Sequence, residues 1–160
     1  MATKEAFAGA KTGFTFLNAF VGAVAQEIGM ERTLGIITKM SENFGTMRGK
    51  MIKQKAGAKE INAKTAWSLM KPVVDDIVLN FEIVEESPSK VVIRSGRCAV
   101  YEAAQALGID GKTVEAVCRA GGNRMDDVLV KQLNPNLSFR LRKFRSSADD
   151  FCDEEVVLGK

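Results

Sequence analysis

From Phe7 to Ile28 the apolar residues Phe7, Ala10, Phe14, Leu17, Val21, Val24 and Ile28 recur at alternating steps of three and four. That period places them on one stripe of an α-helix. Phe16 and Phe20 lie off the stripe, so the helix is apolar on more than one side. Such a helix needs two neighbours: its own domain, and a ligand or second subunit. Gly29 is the expected stop. Met30, Leu34, Ile37, Met40, Phe44, Met47 and Met51 then define a second helix with one apolar face. Ordinary core packing is the first reading of that face. Its methionines also suit a surface that must adapt to a partner. The charged stretch 53–60 reads as a linker. A third helix is predicted from Asn62 to Ile77, with Trp67, Met70, Val74 and Ile77 inward and Pro72 as a kink or break.

After Ile77 the period changes to two. Leu79, Phe81 and Ile83 alternate with Asn80 and Glu82, Ser87–Ser89 makes a turn, and "KVVIRS" returns, which is a β-hairpin pattern. A short helix is expected from near Arg97 to Gly108. Asp110 is placed to cap a longer helix that runs to the "NPN" stop at 134–136. "LSFRLRKF" and "FCDEEVVL" form a second hairpin across "RSSADD". Helices in blocks and strands in antiparallel pairs give an α+β fold. Its N-terminal helices and a mid-chain helix pair pack on a four-stranded antiparallel sheet.

The 160 residues, 46% of them hydrophobic, suit one domain with a real core: a helical half over 1–78 and a sheet-containing half over 79–160. The net charge of +3 is small and its bases are interleaved with acids, so no nucleic-acid surface is expected. Three cysteines without close spacing favour free thiols in a reducing compartment. The most apolar run, Phe14 to Ala25, is too short to span a bilayer and no convincing cleavage site follows it, so a cytoplasmic location is expected. The chain has no histidine. That excludes a Ser-His-Asp triad, a Cys-His pair and histidine-ligated haem or zinc within one chain.

Cysteine therefore carries the candidate chemistry. Cys98 falls at a predicted helix start just after Arg94 and Arg97, where a lowered thiol pKa is expected. Glu102, one turn on, is a candidate base. Cys118 lies mid-helix beside Arg119. On the last strand Cys152, Val156 and Leu158 point to the apolar side with Glu154 as the exception, so Cys152 is expected to be buried. Gly121 and Gly122 mark close packing, a kink, or room for a ligand. Arg140 and Arg142 read as a solvated strand face or an anion-binding strand.

The segments "RSGRCAVYEAAQALGID", "VEAVC" and "NPNLSFRLRKFRSSADDFC" carry a resemblance. An Arg-Cys opens a helix (Arg97, Cys98), a cysteine sits in the next helix (Cys118), and Asp149, Asp150, Phe151 and Cys152 lead into the last strand. In these features the chain resembles the L-2-amino-thiazoline-4-carboxylic acid hydrolase-like family. That family is similar in turn to 4-vinyl reductase, or hydrocarbon-binding, domains and to the TRAPP fold. The resemblance implies an α+β domain that encloses a small-molecule pocket and commonly dimerises. Zinc-binding relatives carry a Glu-x-x-Cys pair before the last cysteine. Here Leu141 and Phe144 stand in that place, so no cofactor is expected, and zinc could be held only through Cys118 and Cys152 with other ligands.

The leading expectation is a small-molecule-binding protein with an apolar pocket for a hydrophobic or aromatic ligand, bounded by Arg97, Tyr101, Cys118, Arg119, Cys152, Phe16 and Phe20. One alternative is a hydrolase of a small cyclic amino-acid derivative, with Cys98 as nucleophile, Glu102 as proton carrier and Arg97 or Arg119 as carboxylate anchor. A structural or interaction module is the other. No membrane span is expected. A homodimer is expected, with the main stripe of the first helix facing its own core and Phe16 and Phe20 pairing across the two-fold axis.

Overall fold

The computed structural model describes residues 3–57 and 60–159. α1 (Lys4–Ile28) is capped by Thr3, whose hydroxyl accepts from the Ala6 N–H, and it ends at Gly29, where φ is +85°. α2 (Met30–Ala56) follows at once and ends at Gly57, with φ +58°. α2 therefore runs through the first half of the expected 53–60 linker, and Ala58 and Lys59 lie outside the described residues. α3 (Ala63–Val74) is capped by Asn62 and carries Pro72 in its last turn. There the ring removes the N–H that would bond the Ser68 carbonyl, and the helix closes two residues later at Val74 and excludes Ile77.

β1 (Phe81–Glu86) and β2 (Lys90–Ser95) form the first hairpin; β3 (Leu137–Lys143) and β4 (Cys152–Leu158) form the second. The hairpins join through β2 and β4, giving an antiparallel sheet in the order β1-β2-β4-β3. Between them lie α4 (Ala99–Ala106), α5 (Gly111–Cys118) and α6 (Arg124–Leu133). Asp110 caps α5 as expected, accepting from the Thr113 N–H at 3.0 Å. Residues Arg119–Asn123 form one π-helical turn that joins α5 to α6. The expected long helix thus exists, and its irregular turn falls on the Gly121–Gly122 pair. The main core lies between the sheet, α3 and α6, and includes Trp67, Met70, Val91, Ile93, Leu129 and Val156. The expected α+β arrangement is present.

Two apolar stripes face differently from the expectation. On α2 only Ile37 of the proposed stripe is buried; the buried positions are Thr33, Ile37, Ser41, Gly45 and Gly49. The reason is a close helix crossing. A Cβ on Gly45 would come 2.4 Å from the Met125 carbonyl oxygen, so only small residues fit against α6. Met40, Phe44, Met47 and Met51 are left exposed. On α1, Phe7 and Asn18 are buried, while Leu17 and Ile28 of the expected core stripe are exposed. α1 packs chiefly on α4 and not on the sheet. No helix among the described residues is long and apolar enough to cross a membrane.

Candidate functional site

The register of the sheet brings one acid inward. Val91, Ile93 and Ser95 of β2 pair with Val156, Glu154 and Cys152 of β4, and all six side chains share the helix-covered face. Glu154 is thus set between Ile93 and Leu141, on an otherwise apolar row. Its carboxylate accepts a hydrogen bond from the Ser95 hydroxyl at 2.8 Å. Burial pushes its pKa up; Ser95, Arg145 and Asn123 oppose the rise.

Arg145 comes from the connection between β3 and β4 and is 2% exposed. Its Nε donates to Cys152 Sγ at 3.4 Å and its Nη2 to the Ser95 carbonyl at 2.9 Å and to the Gly96 carbonyl. The guanidinium carbon sits 5.5 Å from the centre of the Tyr101 ring, and Tyr101 in turn packs on Phe144. Across from it, the π-helical turn and α6 present Asn123 and Asp126. Burial, then the neighbouring Glu154, pushes Asp126 up to about 8, with Arg48 of α2 opposing.

The three thiols gather at this place. Cys98 and Cys118 pack in one small cluster with Tyr101, Ala104 and Val114, and Cys152 lies under Arg145. Cys118 is raised by burial and then by Cys98 and Cys152. Cys98 is raised too, and this corrects the expectation of an activated thiol. Desolvation outweighs the N–H groups of Tyr101 and Val100 and the charge of Arg145. Arg97, whose proximity in sequence suggested activation, turns to Glu102 instead at 2.7 Å and lies over the Phe7 ring. Glu102 is held by Arg97 and, at 3.3 Å, by Lys11 of α1, and its pKa is lowered first by the Arg97 bond. It is the ion-pair partner of both cations.

Of the expected site residues, Cys98, Tyr101, Cys118 and Cys152 come together. Arg119 does not join them, because it pairs outward with Glu115 at 2.7 Å. Phe16 and Phe20 are 77% and 58% exposed on the far side of α1. Arg142 faces Glu155 at 3.7 Å on the outer sheet surface, which favours the solvated-strand reading. Among the described residues no three Cys, Asp or Glu side chains come together as a metal site. Arg145, Glu154, Asn123 and Asp126 were missed from sequence. Glu154 left a signal as the lone acid on the inward row of β4.

Beside this cluster an apolar crevice of about 90 Å³ opens between α1, α4 and α5, lined by Val21, Val100, Ala104, Ile109, Val114 and Val117 among others. Ala104 and Val114 belong to both, so the thiol cluster backs the crevice wall. A larger, open groove of about 320 Å³ lies near Met47, Met51 and Val73 on α2 and α3. Its lining includes Arg48, whose charge acts on Asp126, but shares no residue with the thiol and Tyr101 cluster, so the smaller crevice is the better candidate.

Several solved structures share the fold. The phenol-responsive sensory domain of the transcription activator PoxR, with phenol, superposes with a TM-score of 0.60 at 11% identity, covering 91% of this chain and 74% of that one. A trafficking protein particle complex subunit 3 from Naegleria fowleri, covalently bound to palmitic acid, gives 0.56 at 14% identity, covering 94% and 97%. No curated protein matches the chain by sequence. The profile of the L-2-amino-thiazoline-4-carboxylic acid hydrolase family matches residues 10–155, and the chain belongs to that family.

Proposed function

We propose that this protein binds a small, mainly apolar or aromatic molecule in the crevice between α1 and the α4–α5 pair, with the ligand's polar end toward Arg145. The observation that carries this reading is the join between the two environments. An apolar crevice shares Ala104 and Val114 with the Tyr101 cluster, and the Tyr101 ring in turn carries the buried Arg145, whose charge acts on Glu154. Ligand sites combine an apolar lining with a few convergent polar groups in this way. The fold neighbours, which hold phenol and palmitic acid, agree with it.

A crevice of about 90 Å³ is small for a ligand, since such pockets run to roughly 300–1,000 Å³. α1 is the wall that can yield. Gly9, Gly13 and Gly22 touch nothing where a Cβ would stand, and α1 buries only Phe7 and Asn18. The hydrolase reading with Cys98 as nucleophile finds less support, because the thiol is desolvated and Glu102 is tied to Arg97 and Lys11. We also propose that the exposed apolar faces of α1 and α2 pair in a homodimer.

The test is thermal denaturation against a panel of small aromatic and aliphatic compounds. A ligand that binds only the native state raises the midpoint by mass action. The expected result is a dose-dependent rise for apolar members and its loss in Val114→Trp, which fills the crevice. No rise with any compound, or an undiminished rise in Val114→Trp, contradicts the reading.

A further inference from the structure

Three buried polar atoms have no hydrogen-bond partner among the described residues: Arg145 Nη1, Asn123 Oδ1 and Asp126 Oδ1. Native interiors hold few such atoms, and each asks for an explanation. All three residues neighbour Glu154. Asn123 and Asp126 are three residues apart along a continuous helical path, so they share a face. Glu154 is coupled to both and to Arg145. Arg145 has spent Nε on Cys152 and Nη2 on the Ser95 and Gly96 carbonyls. Its planar fork is thereby fixed, and Nη1 is left over. The π-helical turn that carries Asn123 is of a kind often found at functional sites.

We propose that these atoms receive the polar end of the ligand, and that they select an uncharged group with both a donor and an acceptor, a hydroxyl or primary amide, over a carboxylate. This rests on the small-molecule reading above. Nη1 requires an acceptor. Asn123 Oδ1 can only accept, so it requires a donor. Asp126 Oδ1 serves either way, accepting when bare and donating when protonated. A carboxylate supplies acceptors alone. It would leave Asn123 Oδ1 bare and set a negative charge beside Asp126 and Glu154. The family's name refers to a carboxylic acid; the donors and acceptors of this chain favour a different head.

Isothermal titration with two matched series tests the assignment: benzyl alcohol, benzamide, benzoate and benzyl methyl ether, then hexanol, hexanamide, hexanoate and hexyl methyl ether. The alcohols and amides are expected to bind roughly tenfold tighter than the carboxylates, and the alcohols tighter than the ethers by a similar factor, the scale of one satisfied hydrogen bond. Asn123→Leu, which leaves Arg145 and its bonds in place, is expected to erase the alcohol-over-ether preference while the melting point stays within a few degrees. Carboxylates binding as tightly as alcohols, or an alcohol preference that survives in Asn123→Leu, overturns the assignment and leaves the small-molecule site standing. Equal binding of all heads means that water satisfies the three atoms, which overturns it too. If no member of either series binds, the small-molecule reading falls and the assignment with it.

Discussion

Arg145 donates from Nε to the sulfur of Cys152 at 3.4 Å, in a buried position where no carboxylate contacts the guanidinium directly. The remaining bonds go to the backbone carbonyls of Ser95 and Gly96, at the end of β2. One side chain thus ties the β3–β4 connection to the neighbouring hairpin. Arg145→Met would leave those carbonyls and the sulfur unsatisfied. The expected cost is about 3 kcal/mol, a fall in melting temperature of roughly 6–12 °C. Calorimetry checks it, and a change under 2 °C contradicts the anchoring role.

The raised pKa values of Cys98 and Cys118 set their reactivity, since the thiolate is the attacking form. Native protein is expected to react with iodoacetamide at neutral pH at least tenfold more slowly at both thiols than urea-unfolded protein, read by mass spectrometry of the peptides. Faster labelling of native Cys98 would revive the nucleophile.

Asp126 carries a pH dependence of definite sign. Its pKa rises from the ordinary 3.8 to about 8 in the fold, so the folded chain holds a proton that the unfolded chain gives up. That contribution to stability is full below about pH 4 and is lost as pH rises through about 8. No histidine titrates in the same window. Urea midpoints are expected to fall between pH 5 and pH 9, and Asp126→Asn to flatten most of the fall. Glu154, raised in the same direction, supplies the remainder. Wild-type protein more stable at pH 9 would contradict this.

Much of the fold was legible because its period is local. The change from steps of three and four to steps of two located both hairpins, and Asp110 caps its helix as its position suggested. The orientation of α2 was not legible. A run of methionines and Phe44 resembles a core stripe, but α6 comes so close that only glycine fits at Gly45 and Gly49, and the face that carries them turns inward. Such a long-range constraint leaves no trace in hydrophobic period. The site was half legible. Cys152 was placed inward by alternation, and the acid that broke the alternation, Glu154, proved to be its polar neighbour. Arg145 was hidden in a polar turn, where only the return of the chain over β2 buries it.

The crossing of α2 and α6 gives a paired mutational test. Gly45→Ala forces a Cβ to within 2.4 Å of a backbone carbonyl and is expected to cost about 1–3 kcal/mol. Gly22→Ala meets open space and removes a poor helix former, so it is expected to stabilise by up to about 1 kcal/mol. Chemical denaturation of both variants reads the difference; equal effects contradict the close crossing.

Phe16 and Phe20 on α1, with Met40, Phe44 and Met47 on α2, leave a broad apolar surface on one chain. Covering it with a second copy is the expected solution. Light scattering at micromolar concentration should give twice the mass of one chain, and Phe16→Asp with Phe20→Asp should halve it. A monomeric wild type contradicts the dimer. A dimer that persists in the double variant places the interface elsewhere.

The central claim is a ligand site that runs from the α1–α4–α5 crevice to the Arg145 cluster. The most direct measurement is an amide-detected nuclear magnetic resonance titration with benzyl alcohol. The account expects saturable shifts concentrated at Ala104, Val114 and Val117 and at the Asn123 side-chain amide. Shifts confined to Met47, Met51 and Val73, or none at any of these positions, would contradict it.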